Sequence, residues 1–267
     1  MWKVNKIENM QNIWKTEKYY KISRDASRDH IYPKIKELAD IAKDCGAILE
    51  VGCGEGTKLD IICDHKSKGT GVDISPIAIK KAILQYPQYK FIQADGEKLP
   101  FDDNKFDLVY SAFTIEHTQN PEKVIKEMIR VAQKGAYLAL LAPNYGVPFR
   151  KSPCFRGHRT IRIVQGFWND LIRSSNSQLL NWRHVLPIAD SQNFEIDFDT
   201  TVEPYLGSLL DFIRSLNGDL IKVSSCWEIE EKHETMINKA FRYLANKSIY
   251  PFIYWGPHLF VVWQKKS

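Results

Sequence analysis

The chain has 267 residues, 44% apolar and 26% charged, which excludes a disordered or collagen-like protein and leaves room for one large domain or one domain with an elaboration. Its 37 Lys and Arg against 32 Asp and Glu give a net charge of +5, too small to mark a nucleic-acid binder by itself. Five scattered cysteines with no CxxC pair read as reduced thiols of a cytoplasmic protein, not as a disulfide framework or a zinc site.

Residues 1–46 read as polar and helical, without the uninterrupted apolar core of a signal peptide. Ile31, Ile35, Leu38, Ile41 and Ala42 recur at helical spacing, so 31–42 is expected to lie on a sheet. Strand and helix patterns then alternate. Strands are expected at 47–51, 71–74, 90–93, 106–111 and 136–141, and helices at 58–65, 76–85 and 121–133. This rhythm predicts βαβ units and a parallel sheet covered on both faces. Residues 143–160 read as loop, 161–193 as mostly helical, 194–202 as a half-buried strand, 205–247 as helical again and 259–263 as the last strand. The long apolar stretch 250–263 is broken by Pro251, Gly256, Pro257 and His258 and is shorter than the roughly 20 residues of a membrane span.

Three glycines at alternate positions, Gly52, Gly54 and Gly56, stand between a strand and a helix, where a ligand can lie against bare backbone and a helix N-terminus offers free N–H groups. The spacing is not the GxGxxG of dinucleotide sites. Glu50, two residues earlier, disfavours phosphate and favours a cationic amine. Asp73, at the end of the second strand, can accept both hydroxyls of a ribose, and Asp95, at the end of the third, can accept from an exocyclic amine. Each carboxylate alone could be a helix cap or a turn residue; their order and spacing at three strand ends point to the ligand crevice of an open α/β sheet. Cys53, inside the glycine loop, reads as a small, tightly fitting residue.

The stretch Leu49-Glu-Val-Gly-Cys-Gly-Glu-Gly56, with Gly71-Val-Asp73, Ala94-Asp95, Leu99-Pro-Phe101, Phe106-Asp-Leu-Val109, Glu116-His117 and Asn120-Pro121, resembles the class I S-adenosylmethionine-dependent methyltransferases of the small-molecule group (methyltransferase type 11-like). The resemblance covers about 47–142 and, more weakly, the last two strands. It implies a Rossmann-like sheet of seven strands, mostly parallel with the last antiparallel, helices on both faces, and helical elaborations after strand 5 and between strands 6 and 7. It implies S-adenosylmethionine as cofactor and S-adenosylhomocysteine as product. The backbone of Gly52, Cys53, Gly54 and Gly56 would approach the methionine part and Glu50 its ammonium. Asp73 would hold the ribose, Ile74, Asp95 and Gly96 would surround the adenine, and Ser111 and Phe113 would flank the point of transfer. The chain then divides into an N-terminal helical lid (1–46), the cofactor-binding core (47–142), a basic acceptor-recognition insertion (143–193), and the last two strands with an intervening helical pair (194–267).

A hydroxyl acceptor needs a base, and His117 stands after the fourth strand as the candidate, with capping or cofactor contact as its alternatives. His158 and His184 compete for that role. Residues 150–183 carry seven basic residues (Arg150, Lys151, Arg156, Arg159, Arg162, Arg173 and Arg183) against the single acidic Asp170, which is either a solvated surface or a site for an anionic acceptor. Tyr20, His117, Tyr145, Arg150, Arg156, His158 and Arg159 are the candidate acceptor contacts. The expected acceptor is a small molecule, a hydroxyl on an anionic or phosphate-linked sugar- or lipid-type compound. The alternatives are a nucleic-acid methyltransferase using the basic segment, disfavoured by the lack of an Asn/Asp-Pro-Pro-aromatic motif, and a non-catalytic cofactor-binding protein. Metal-dependent catechol-type methylation would want acidic ligands near the acceptor; 143–193 offers only Asp170 and Asp190, so no metal is expected.

Overall fold

The computed structural model describes Trp14, Thr16, Tyr19 and residues 33–63, 68–148, 150–172, 178–188, 195, 197–227 and 235–266. The elements up to residue 143 follow the predicted alternation: α1 (Pro33–Ala42), β1 (Ala47–Val51), α2 (Thr57–Cys63), β2 (Lys68–Asp73), α3 (Pro76–Gln85), β3 (Lys90–Gln93), β4 (Phe106–Ala112), a 3-10 turn (Ile115–His117), α4 (Pro121–Val131) and β5 (Ala132–Pro143). Helices start where the chain leaves a strand because the caps are built in. The Ser75 hydroxyl accepts from the Ala78 N–H with Pro76 in the first turn, and the Asn120 side chain accepts from the Lys123 N–H with Pro121 behind it. Ile31 of the first predicted helix, and residues 64 and 65 of the next, lie outside the described residues.

Among the described residues, seven strands form one sheet in the order β3-β2-β1-β4-β5-β9-β8, where β8 is Gly218–Ser224 and β9 is His258–Lys265. β9 runs antiparallel to both neighbours; every other pairing is parallel. Alternate strand residues feed two cores. Leu49, Val109, Leu138 and Trp263 pack with Val124 and Met128 of α4 and with Leu209 and Phe212 of α6 (Leu206–Arg214). Ile48, Leu108, Leu141 and Phe260 pack with Leu38 of α1, Leu59 of α2 and Ile79 of α3. Each of these side chains is nearly or fully buried, which is worth about 1.5–3 kcal/mol apiece relative to exposure. None of the five cysteines is in a disulfide, and all are buried. No helix of the described residues is long and apolar enough to cross a membrane.

Two strand assignments change. The alternation at 194–202 does not make a strand: Asp197 to Asp199 form a turn, with Asp197 at φ +66°, a value closed to extended chain. Only Val202–Glu203 (β7) is extended there, paired with Arg183–His184 (β6) in a separate two-stranded sheet. The sixth strand of the main sheet is β8, inside the stretch expected to be helical. It is short, sits between α6 and α7 (Met236–Asn246), and earns its place by pairing with β9, where a side chain at Gly218 would meet the Trp263 ring at 2.1 Å. After β5 the elaboration is α5 (Arg159–Ile172), and α7 lies between β8 and β9. Of the tryptophans in the elaborations, Trp182 and Trp255 are buried, Trp227 is packed against Phe241 and Phe252, and Trp168 is exposed.

Candidate active site

β2 and β4 flank β1 on opposite sides, so a crevice opens at the C-terminal ends of the strands. It holds a cavity of about 320 Å³. Eight of the residues picked from sequence line it: Gly52, Gly54, Asp73, Ile74, Asp95, Gly96, Phe113 and His117. Glu50, Cys53, Gly56 and Ser111 stand behind that wall. Glu50, Cys53 and Ser111 are buried within the sheet and loop, and Gly56 backs onto Phe91. Tyr20 lies outside the described residues, whereas its neighbour Tyr19 lines the cavity together with Trp14.

The glycines differ in what they do. Gly52 has φ +79°, and a Cβ there would stand 2.0 Å from the Thr114 methyl, whose hydroxyl donates to the Gly52 carbonyl at 3.1 Å. Gly52 is therefore required by packing and by backbone conformation. Gly54, at φ +52°, has nothing within 4 Å of where a Cβ would be, although it lines the cavity. Its bare backbone faces open space. Asp73 braces this loop: one carboxylate oxygen accepts the Gly54 N–H at 2.9 Å and the other the Ser75 N–H at 2.8 Å. Burial raises the Asp73 pKa against those two bonds and against Lys58.

Glu50 is fully buried beside the Tyr110 hydroxyl, and burial raises its pKa from 4.5 to about 7, opposed by Lys58. Between those values the unfolded chain has lost the proton and the folded chain keeps it. Stability is therefore fully present below pH 4.5 and falls as the pH rises through about 7. Glu50→Gln is expected to remove that slope and to gain roughly 3 kcal/mol over wild type at alkaline pH. Urea unfolding at both ends of the window checks this, and parallel pH profiles for the two proteins would refute it.

His117 closes the 3-10 turn after β4 among three carboxylates. Its Nδ1 pairs with Asp199 Oδ1 at 3.2 Å, and its Nε2 stands 3.8 Å from Glu116 Oε1 and 4.0 Å from Asp197 Oδ1. Burial alone would lower its pKa, but Asp199, Glu116 and Asp197 outweigh that and raise it to about 9. A ring so placed holds its proton at neutral pH, which is not the state of a free base. Burial raises Glu116 to about 7, with Asp197 and Asp199 adding to the rise. Asp199 also accepts from Trp14 Nε1 at 2.8 Å, while the Trp14 carbonyl accepts from the Ser75 hydroxyl at 2.9 Å. Trp14 thus ties the end of β2 to the 197–199 turn. Phe113, at φ +56°, is edge-on to the His258 ring at 5.8 Å, and His258 in turn lies 3.4 Å from Arg150. Burial, with Arg150 adding to it, lowers His258 to about 3.

Among the described residues, no side chain of the basic segment lines the cavity. Arg162 is buried against Glu203 at 3.2 Å and stacks on Phe155, and Arg183 pairs with the same Glu203 at 3.0 Å. Arg156 is exposed and donates to the Pro153 and Phe155 carbonyls. His158 and His184 are exposed, Arg159 opens α5, and Arg173 lies outside the described residues. Arg150 approaches the cavity most directly, through His258 and over the Tyr145 ring at 5.1 Å. Tyr145 is buried and donates to Asp197.

Sequence reasoning passed over Trp14, Lys58, Glu97 and Thr114 on the wall, and Asp197 and Asp199 behind His117. Lys58 had a signal, its place in the first turn of the helix after the glycine loop. Asp197 and Asp199 gave the opposite signal, since their alternation with Phe198 mimicked a strand.

Residues 49–140 match the model of a family described as a methyltransferase domain. Ajmaline N-methyltransferase of Rauvolfia serpentina is 39% identical over 102 residues, 36% of this chain and 35% of that protein. Demethylmenaquinone methyltransferase of Renibacterium salmoninarum is 33% identical over 106 residues, 39% of this chain and 44% of that protein. The chain therefore spans less than half the length of either relative. A solved SAM-dependent methyltransferase from Thermotoga maritima shares the fold, with TM-score 0.58 at 16% identity over 96% of this chain and all of that one.

Proposed function

The chain carries, over residues 49–140, the domain of the class I S-adenosylmethionine-dependent methyltransferases, and from that premise we propose that the protein methylates a hydroxyl of a small anionic acceptor. The carrying observation is the open face of Gly54 beside the Asp73 carboxylate, on a cavity that continues to Phe113 and His117. The cavity fits the cofactor's parts. Bare backbone at Gly54 leaves room for the methionine portion, with Lys58 facing its carboxylate. The Asp73 oxygens have lone pairs left for ribose hydroxyls, and Ile74, Asp95 and Gly96 border the base. Glu50, Cys53, Gly56 and Ser111 shape this wall from behind, and Trp14 and Tyr19 close over it as part of an N-terminal lid.

Bound there, the cofactor would supply a sulfonium methyl to an aligned acceptor oxygen, the S–CH3 bond breaking as the O–CH3 bond forms and the hydroxyl proton passing to solvent. The chain's own residues then do the aligning. Phe113 and His117 border the space where an acceptor would stand, and Arg150, which reaches Phe113 only through His258, would support an anionic group on it. The ion-paired Arg162 and Arg183 give a nucleic-acid surface no support.

Calorimetric titration with S-adenosylhomocysteine is expected to show one site, and ligand at about 100 times its dissociation constant is expected to add about 2.7 kcal/mol of stability. NAD is expected to bind far more weakly. Comparable binding of NAD, or no binding of S-adenosylhomocysteine by folded protein, would sink the reading. For the acceptor, labelled methyl transfer to a panel of hydroxylated acids is expected to give a substrate whose KM rises in Arg150→Ala and not in Arg156→Ala. Equal effects of the two variants would remove Arg150 from the acceptor site.

A further inference from the structure

Glu116, His117 and Asp197 offer three ligand atoms that all lie within 4.8 Å of one another, with Glu116 and Asp197 facing the same ring nitrogen of His117 at 3.8 and 4.0 Å. Bonds of about 2.1 Å from a first-row cation to nitrogen and carboxylate oxygen would span such separations after an inward shift of a few tenths of an ångström. Two further observations point to a ligand. Glu116 is completely buried, and neither of its oxygens has a hydrogen-bond partner. Leaving such a group beside a second carboxylate is costly unless a cation neutralises it. The opposite nitrogen of His117 pairs with Asp199, which is itself anchored by Trp14. A carboxylate on the far nitrogen is the usual device that orients a metal-bound imidazole. The Tyr145 hydroxyl, by occupying Asp197 Oδ2, leaves Oδ1 toward His117.

We propose that Glu116, His117 and Asp197 bind one divalent cation of the Mn²⁺ or Zn²⁺ type, which takes the place of the His117 Nε2 proton and releases it to solvent, that Asp199 is a positioning residue for it, and that the cation's remaining positions take two adjacent oxygens of the acceptor. The mixed imidazole and carboxylate set suits these ions better than the all-oxygen preference of Ca²⁺ or Mg²⁺. His117 lines the cavity, so an acceptor held there stands beside Phe113. The acceptor half of the inference rests on the methyl-transfer reading above; the cation half does not. It narrows the acceptor to a chelating oxygen pair, such as an ortho-dihydroxy compound or a 2-hydroxy acid.

The test titrates the full chain with MnCl₂, followed by loss of the free-ion electron paramagnetic resonance signal, and with ZnCl₂ by calorimetry. One ion per chain is expected. Affinity should fall by about tenfold or more in Glu116→Gln and in Asp197→Asn, and by about tenfold with unchanged stoichiometry in Asp199→Asn. The exposed Asp102→Asn should bind as wild type does. Failure of the wild type to bind either ion at millimolar concentration overturns the proposal whatever the variants do, and so does wild-type affinity in both Glu116→Gln and Asp197→Asn. A parallel titration with S-adenosylhomocysteine separates the two readings. Cofactor bound without a cation removes only the cation site. A cation bound without cofactor removes only the methyl-transfer reading and with it the proposed acceptor.

Discussion

Gly52→Ala is expected to destabilise the protein by roughly 2–5 kcal/mol, the largest effect of any single methyl added to the glycine loop. Two terms contribute. The left-handed backbone at φ +79° costs an L-residue about 1–2 kcal/mol. The new methyl would also sit 2.0 Å from the Thr114 methyl and 2.6 Å from its Cβ, so β4's exit must move, and overpacking of that kind costs about 1–3 kcal/mol. The terms are separable: Gly52→Ala with Thr114→Gly should recover the overpacking part and keep the backbone part. Gly54→Ala, at φ +52° with nothing near its Cβ, should lose only about 1–2 kcal/mol of stability. It should nonetheless lose cofactor affinity, because its methyl projects into the open space over the loop. Chemical denaturation of the four proteins, beside S-adenosylhomocysteine titration, checks all of this. If Gly54→Ala proved as unstable as Gly52→Ala, or bound cofactor as wild type does, the division of labour within the loop would be wrong.

Asp73→Ala is expected to weaken S-adenosylhomocysteine binding by roughly 100-fold or more. A hydrogen bond to a charged group is worth about 1.5–3 kcal/mol, and Asp73 is placed to make more than one with a ribose while holding the Gly54 and Ser75 N–H groups. Asp73→Asn distinguishes the two contributions. Its amide oxygen can keep one loop N–H while the charge is lost, so it should retain more stability than alanine and yet bind cofactor poorly. Were Asp73→Ala to unfold early but bind normally once folded, the residue would be a brace for the loop and not a ligand contact.

These two sites show how far the sequence reaches. β1, β3 and α3 were readable to the residue, because each is bounded by strong local signals: glycines after Val51, Pro76 behind the Ser75 cap, and short apolar runs between polar turns. The glycine loop and the carboxylates Asp73 and Asp95 were readable because each stands directly at the end of such a strand. β8 was not. Its seven residues have weak alternation of their own and are held by pairing with β9, some forty residues later in the chain. The turn at 197–199 was misread for the converse reason. Its alternating pattern is real, but Asp197 and Asp199 are drawn to Tyr145, His117 and Trp14 instead of a neighbouring strand.

The sequence by itself determined the α/β class, the glycine loop and the carboxylates that line the crevice, since these rest on local periodicity and on residues fixed at strand ends. Only the tertiary structure decided the surroundings of His117 and the fate of the basic segment. The carboxylates that 143–193 lacks reach His117 from residues 116, 197 and 199, and Arg162 and Arg183 spend their charge on the buried Glu203. Both outcomes depend on contacts between residues distant in the chain, where a charge finds its partner by the energetics of burial and not by its spacing in the sequence.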